Sequence, residues 1–261
     1  MKINEYYRDT ANLNLNGSIA ALVPTIMIVA LNLSIIKHRD IMLFTIPFLI
    51  FSMINFQLYL FRMKQSIGIS RNIVKSEISK ESIFEARHLL LMYMNTQSSR
   101  LHFYFPNGYL AGMVKKYRGS GWERLKPSRT YALYNFNNEV LGFFKVKGKN
   151  SMKIEVFGRN RLLLGRFEKK SQGWRKAQKE LFDGFGRYVG SIEGSSVFMD
   201  EKVLDHRHQD IGRLRRGWMP LEWDPLFPEP NTPVLSFSDV LSEEDKLLRM
   251  SFLINEYFIE R

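Results

Sequence analysis

The 261-residue chain contains no cysteine. That absence removes disulfide frameworks, thiolate metal sites and thiol nucleophiles from consideration, and it accords with a reducing compartment, which makes no use of disulfides. Also missing are a Gly-x-Ser-x-Gly elbow, a His-Glu-x-x-His pair, a dinucleotide fingerprint and a protein-kinase signature. Nothing therefore points to the chemistries those motifs carry. A non-enzymatic protein is the leading expectation, with no catalytic residue to nominate and no cofactor implied.

The third absence is local. Gly17 to Ile36, GSIAALVPTIMIVALNLSII, and Ile41 to Phe61, IMLFTIPFLIFSMINFQLYLF, carry no charge. At about 1.5 Å per residue each run is long enough as a helix to cross a hydrocarbon core of about 30 Å. A buried hairpin in a soluble protein would keep a polar face on at least one helix, and neither run has one. A cleaved signal peptide would show a compact basic start and a small-residue cleavage site before Lys37; neither is present. Pro24 and Pro47 are tolerable in spans, where neighbouring helices and local backbone adjustment satisfy the freed carbonyls.

Only Lys37-His38-Arg39-Asp40 joins the runs, so both ends of the hairpin fall on one side of the membrane. Lys2 and Arg8 before it and Arg62, Lys64, Arg71, Lys75 and Lys80 after it outweigh Lys37 and Arg39 in the connection. The positive-inside rule then places both termini in the cytoplasm of a multi-pass cell-membrane protein. Residues 1–62 read as the N-terminal tail and hairpin, 63–86 as a basic juxtamembrane linker, and 87–261 as a separate domain. The whole chain has net charge +12, and residues 1–62 contribute five basic and three acidic side chains, leaving +10 on residues 63–261. A basic cytoplasmic domain tethered to a membrane meets anionic lipid, at about 1 kcal/mol per well-placed cation.

Residues 82–94 mix helix and strand signals: Ser82 and Glu85 have capping-box spacing, and a short helix followed by a strand is expected. From Leu101 the pattern is β. Pro106-Asn107-Gly108 between two apolar runs marks a hairpin. Further strands are expected at Tyr131–Phe136, Val140–Lys147, Met152–Phe157, Leu162–Lys169, Gly186–Ile192, Ser196–Asp200 and Ile211–Arg216. Within them an apolar-Gly pair recurs as Leu141-Gly142, Leu164-Gly165, Val189-Gly190 and Ile211-Gly212, the glycines 23, 25 and 22 residues apart. Glycine within a strand marks a bulge, a corner or a close backbone contact. Its repetition suggests a sheet that bends at equivalent places and closes on itself, or else ordinary hairpin punctuation in an open sheet. Ser242-Glu243-Glu244-Asp245 then supplies an N-cap and acidic first turn to a helix that is apolar on nearly every side from Leu247 to Ile259, as expected of a helix buried in the domain. The expected fold is two N-terminal transmembrane α-helices followed by a closed antiparallel β-barrel around a buried C-terminal helix at about 240–260.

The four apolar-Gly units and the closing Leu241–Leu248 segment resemble the tubby-like C-terminal superfamily, which includes the LURP-one-related proteins and the phospholipid scramblases. The resemblance covers about residues 87–260. It implies a barrel of roughly twelve strands around a central hydrophobic helix, and phosphoinositide or phospholipid binding by basic residues on the outer face. The chain departs from the scramblase pattern, whose membrane segment is the barrel's C-terminal helix, because its membrane hairpin precedes the domain.

Lys115, Lys116, Arg118, Arg124, Lys126 and Arg129 place six cations and one acid in fifteen positions with two glycines, the composition of a phosphate-meeting loop or of a solvated hairpin loop. Arg213 and Arg215 alternate to one sheet face and extend the candidate lipid-binding set. His206 and His208 have the two-apart spacing of one strand face or belong to a polar turn; with no third ligand nearby, no metal site is expected. Phe143, Phe144, Phe157 and Phe167 are expected in the core. Nucleic acid is not an expected partner, because no exposed stacking platform stands among the cations. The expected partner is anionic membrane lipid; the alternative is a regulatory or immunity-type protein that binds a membrane protein partner.

Overall fold

The computed structural model describes residues 1–73, 82–96, 98–118, 129–148, 152–172, 176–195, 200–217 and 219–260. It divides into two compact units, Met1–Ser76 and Glu77–Arg261.

The first unit is a helical hairpin. Helix α1 (Ile3–Leu31) continues through a π turn at Asn32–Ile36 and ends at Lys37 in the left-handed region, with φ 52°. The Asn32 side-chain oxygen accepts the His38 N–H at 2.9 Å and so covers part of the exposed turn. A 3₁₀ stretch, Arg39–Thr45, leads into α2 (Ile46–Ile73). Polar groups lie between the helices: Ser18 and Ser52 hydroxyls share a hydrogen bond of 2.9 Å, Asn4 Nδ2 donates to Ser70 Oγ at 2.8 Å, and Ser66 Oγ donates to the Asn4 carbonyl at 2.8 Å. Apolar side chains such as Ile26, Leu33, Ile35, Phe44 and Met53 face outward. Both helices are long and apolar enough to span a membrane, and little of either apolar stretch is buried. Helix α2 runs to Ile73, so the first part of the segment read as a linker is helical.

The second unit is a closed barrel of twelve antiparallel strands. They are β1 (His88–Met94), β2 (Arg100–Tyr104), β3 (Leu110–Lys116), β4 (Thr130–Asn135), β5 (Val140–Lys147) and β6 (Met152–Gly158). There follow β7 (Leu163–Gln172), β8 (Lys176–Asp183), β9 (Tyr188–Ser195), β10 (Asp200–Asp205), β11 (Asp210–Arg215) and β12 (Val234–Phe237). Each strand pairs with its neighbours in sequence, and β12 closes the ring by pairing Val234–Ser236 with Leu90–His88. Before β1 the capping box forms on a single turn: Ser82 N–H donates to Glu85 Oε2 at 2.8 Å.

Five hairpins at one end of the barrel share a geometry that explains the glycine repeat. In each, the fourth residue of a tight turn has positive φ: Gly108, Asn138, Arg161, Gly186 and His208. Four residues later comes a glycine that directly follows the extra residue of a bulge in its own strand, at Gly112, Gly142, Gly165, Gly190 and Gly212. The unit Ala111-Gly112 is a fifth member of the repeat that the sequence pattern did not reveal. At two positions the reason for glycine is contact with the central helix. A Cβ on Gly142 would strike Leu247 and come within 2.9 Å of the Phe157 carbonyl, and one on Gly165 would strike the Phe182 carbonyl and lie 3.0 Å from Leu248. The bulges bend the wall inward there, where only a bare backbone admits the helix.

That helix is α3 (Glu243–Arg249), followed by a short α4 (Phe252–Ile254) and a π turn at Asn255–Ile259. Ser242 Oγ accepts the Asp245 N–H at 3.1 Å as the N-cap. Leu247, Leu248, Phe252, Leu253, Ile254 and Tyr257 are all buried in one cluster with inward residues of the strands, including Phe103, Phe144, Phe167 and Leu214. The helix enters at the tight-turn end and finishes at the opposite end, where Phe258 meets Tyr131 and Tyr93. It is not apolar throughout. Lys246 Nζ donates to the Phe84 carbonyl at 2.5 Å, and Glu256 Oε1 lies 2.8 Å from Lys179 Nζ of β8, which also pairs with Glu201 of β10. All three charged groups of this cluster are buried. Burial presses the Lys179 pKa down, but Glu201 and Glu256 outweigh it and leave it raised. Burial raises the Glu201 pKa, and Lys179 only partly offsets that.

Several expectations are corrected. Strands β8 and β12 were not expected; β10 begins at Asp200 rather than ending there, and Ser196–Met199 lie outside the described residues. Phe144 and Phe167 are core, but Phe143 and Phe157 face outward and are half-buried, because neighbours in a strand point to opposite faces.

Candidate anion-binding surface

Lys115 and Lys116 are the last two residues of β3, not part of a loop. The strand continues through them because Lys115 pairs with Ala132 and Lys116 with Tyr131 of β4. Alternation therefore separates them: Lys115 lies on the outer wall and Lys116 on the opposite register. Arg118 and Arg129, beyond the strand ends, are exposed. Arg124 and Lys126 lie outside the described residues.

On the outer wall Lys115 stands directly opposite Arg100 of β2. Like charges facing each other across two strands destabilise a sheet by tenths of a kcal/mol to about 1 kcal/mol unless something answers them. The Lys115 pKa is lowered, first by burial and then by Arg100. Its ammonium sits 4.3 Å from the centroid of the Tyr134 ring, whose face is a cation site of its own. Beside Tyr134, Tyr117 meets Phe143 edge-on at 5.1 Å, and Arg161 lies 5.5 Å from the Phe143 centroid. Burial, with Tyr117 adding, raises the Tyr134 pKa. The wall thus combines cations with half-buried rings. The sequence did not flag Arg100, Tyr134 or Arg161; their signal was the cross-strand register, which becomes visible only once the pairing is known.

Elsewhere on the outer wall, cations are answered by carboxylates. Arg213 grips Asp200 with two hydrogen bonds, 2.7 and 2.8 Å, and Arg215 reaches the same carboxylate at 4.0 Å. Lys153 and Arg166 both pair with Glu168, at 2.9 and 2.8 Å. Lys147 pairs with Glu155 and Lys170 with Glu180. Arg100, Lys115, Lys116, Arg118 and Arg129 have no ion pair among the described residues. The structure therefore keeps Arg213 and Arg215 together but separates them from Lys115 by three intervening strands, β2, β1 and β12, and it neutralises them in part through Asp200.

His206 and His208 do not share a strand face. They belong to the β10–β11 turn, in which Asp205 Oδ1 accepts the N–H groups of Arg207 and Gln209 at 2.7 and 2.8 Å, and His208 takes the positive-φ position. Among the described residues no three His, Asp or Glu side chains converge to hold a metal.

No protein-family model matches the chain, and no curated protein is detectably similar to it. Among solved structures, an X-ray structure of a protein from Arabidopsis thaliana aligns with 71% of this chain and 100% of its own length, at 13% sequence identity and a TM-score of 0.45. The architecture established for this chain is two long apolar N-terminal helices followed by a closed twelve-stranded antiparallel β-barrel with a helix at its C-terminal end.

Proposed function

We propose that this protein is a membrane-anchored, non-enzymatic module whose barrel, on the cytoplasmic side, binds anionic phospholipid headgroups. The observation that carries the reading is the Arg100–Lys115 pair: two cations face each other on the outer wall, no carboxylate among the described residues answers them, and aromatic rings border them. A phosphate oxygen would supply the missing counter-charge through charge-assisted hydrogen bonds, and the rings suit the amphipathic zone of a membrane surface. Lys116, Arg118 and Arg129 would enlarge the field around this pair, and Arg124 and Lys126 are counted with them by sequence. Arg213 and Arg215 take a lesser part, because Asp200 already holds them. The recurring bulge glycines and the enclosed terminal helix support a tubby-like reading of the barrel. The charge balance around the hairpin supports cytoplasmic termini in the cell membrane.

The test uses the full chain in neutral detergent, titrated with short-chain phosphatidylglycerol or phosphatidylcholine. The anionic lipid should bind more tightly, the preference should shrink as salt is raised, and Arg100→Gln with Lys115→Gln should abolish most of it without lowering the melting temperature. Equal binding of both lipids at low salt would sink the proposal and turn attention to a protein partner.

A further inference from the structure

Three consecutive hairpins at the tight-turn end carry apolar side chains at their tips: Phe136 between β4 and β5, Leu162 between β6 and β7 with Leu163 opening β7 beside it, and Phe185 between β8 and β9. Phe185 is 89% exposed, Leu162 63% and Phe136 49%. The next tip, between β10 and β11, carries His206, Arg207 and His208 instead. The apolar tips thus form one facet rather than a ring. Successive tips are two strand spacings apart, about 10 Å.

These turns are built to leave water. Asn135 Oδ1 accepts the N–H groups of Asn137 and Glu139, both at 2.9 Å, and Asn160 Oδ1 accepts that of Leu162 at 3.1 Å. Asp183 Oδ1 accepts the N–H groups of Phe185 and Arg187 at 2.9 Å each, while the Asp183 carboxylate also binds Arg187 Nε at 2.7 Å. Tip N–H groups already satisfied from within can enter a less polar medium without an unmet hydrogen bond; of the two carboxylates in these turns, Asp183 is paired with Arg187 and Glu139 accepts the Asn135 Nδ2 at 3.0 Å. Arginines flank the rings, with Arg187 over Phe185 at 5.4 Å and Arg161 over Phe143 at 5.5 Å. Long cationic side chains beside apolar ones suit a headgroup boundary, where the stem is buried and the head stays wet.

We infer that this facet is a lipid-surface docking site: the hairpin tips bearing Phe136, Leu162 and Phe185 insert shallowly into the bilayer interface. The occupant is argued from the chain itself. Strand β1 begins at this end of the barrel, and only eight residues, 74–81, separate Ile73, the last residue of the second candidate span, from Ser82. Eight residues reach at most about 28 Å, and the twelve helical residues after Phe61 add about 18 Å, so the barrel is held by a short tether to any bilayer that contains the two apolar runs. The inference deepens the membrane reading proposed above and rests on its anchoring helices, but not on headgroup selectivity. Arg161 belongs both to this facet and to the wall that carries Lys115, which makes the two surfaces continuous.

Because the chain has no cysteine, one introduced thiol can be labelled alone. Phe185→Cys and Leu162→Cys, with Lys202→Cys on β10 as an exposed control, would each carry an environment-sensitive fluorophore in the full chain. Each is reconstituted in phosphatidylcholine nanodiscs with and without phosphatidylglycerol. The expected result is blue-shifted emission at positions 185 and 162, quenched by a phosphatidylcholine with a shallow nitroxide and shielded from iodide, while position 202 stays accessible to iodide. Tip labels as accessible to iodide as the control would overturn the inference, and so would a blue shift that nitroxide lipid does not quench, which would mean a protein contact. Tips quenched in neutral and anionic discs alike, with no effect of Arg100→Gln and Lys115→Gln on lipid preference, would retain this inference and remove headgroup selectivity. Accessible tips with an intact lipid preference would do the reverse.

Discussion

The helical hairpin and the barrel follow opposite rules of inside and outside. Within the two apolar runs of the hairpin the buried side chains are small or polar, as with Ser18, Ala21, Thr25 and Ser52, while isoleucines, leucines and phenylalanines cover the outer surface; large side chains are buried only outside those runs, at Ile3, Tyr6, Tyr7, Ile69 and Ile73. In the barrel, apolar residues from the strands close on a central helix and most charge is kept on the outer wall, with the Lys179–Glu201–Glu256 cluster and Lys246 and Arg249 of the central helix as buried exceptions. The difference teaches what each unit treats as solvent. Hydrocarbon would give no reward for hiding a leucine, so helix association in it would rely on close packing and hydrogen bonds, whereas water drives the barrel's apolar residues inward at about 1.5–3 kcal/mol for each large side chain.

The sharpest test of the barrel's half of this contrast is Leu253→Asp. Leu253 lies on the helix at the centre of the core, with Ile254 and Phe252 fully buried beside it. An unpaired carboxylate there has no hydrogen-bond partner and leaves a poorly packed site, so the barrel should lose more than about 4 kcal/mol and with it its near-UV dichroism. Truncation after Asn231, which removes β12 and the helix together, should abolish folding of the barrel. A variant with an unchanged melting temperature would place the helix outside the core.

How far the sequence revealed this architecture depended on whether charge respected the two-residue period. The hairpin was legible because two long runs contain no charge at all. The helix was legible because its apolar residues cover its circumference. The strands β3 to β7 were legible from alternation and the glycine repeat. Strands β8 and β10 were obscured by the buried cluster itself: Lys179 and Glu201 occupy inward positions beside Leu181 and Val203, so the alternation that marks a half-buried strand is broken where it would be read. The candidate anion-binding surface was half legible. Lys115 stood out by composition, but its partner Arg100 lies fifteen positions away in sequence and is brought opposite only by the β2–β3 register.

The buried cluster gives the second test, intermediate in size. Replacing Lys179 by Met leaves two carboxylates in the interior without their ammonium, and breaking a buried ion pair on one side costs about 3–5 kcal/mol. The effect should depend on pH. A carboxyl whose folded pKa lies above its unfolded value stabilises the fold only while protonated; that contribution is complete below the ordinary Glu value of 4.5 and is lost as pH rises through the folded pKa. Glu201 is already raised in the native protein, and removing Lys179 raises it further. The gap in melting temperature between Lys179→Met and the native chain should therefore be wider at pH 8 than at pH 5. Adding Glu201→Gln should recover part of the loss at pH 8. A gap that does not change with pH would show that packing, not charge, is what Lys179 contributes.

The smallest effect is expected in the hairpin. The Ser18–Ser52 hydrogen bond at 2.9 Å joins the two helices where both are otherwise apolar. In a membrane such a bond contributes only about 0.6 kcal/mol on average, because each hydroxyl finds a carbonyl on its own helix when its partner is lost. Thr25 illustrates this alternative, donating to the Ala21 carbonyl one turn back at 3.2 Å. Close approach is the larger contribution: a Cβ on Gly17 would lie only 3.3 Å from the Asn55 side chain, so the helices are in near contact along this line. Replacing both serines by alanine should therefore leave the hairpin assembled. The check is thiol cross-linking between cysteines placed at Gly17 and Asn55 in the otherwise cysteine-free chain, with and without the two alanine substitutions. Yields should agree and the barrel's melting temperature should not move. A collapse of the cross-link in the double alanine variant would mean that the polar pair holds the helices together, and the packing rule drawn for this unit would fail.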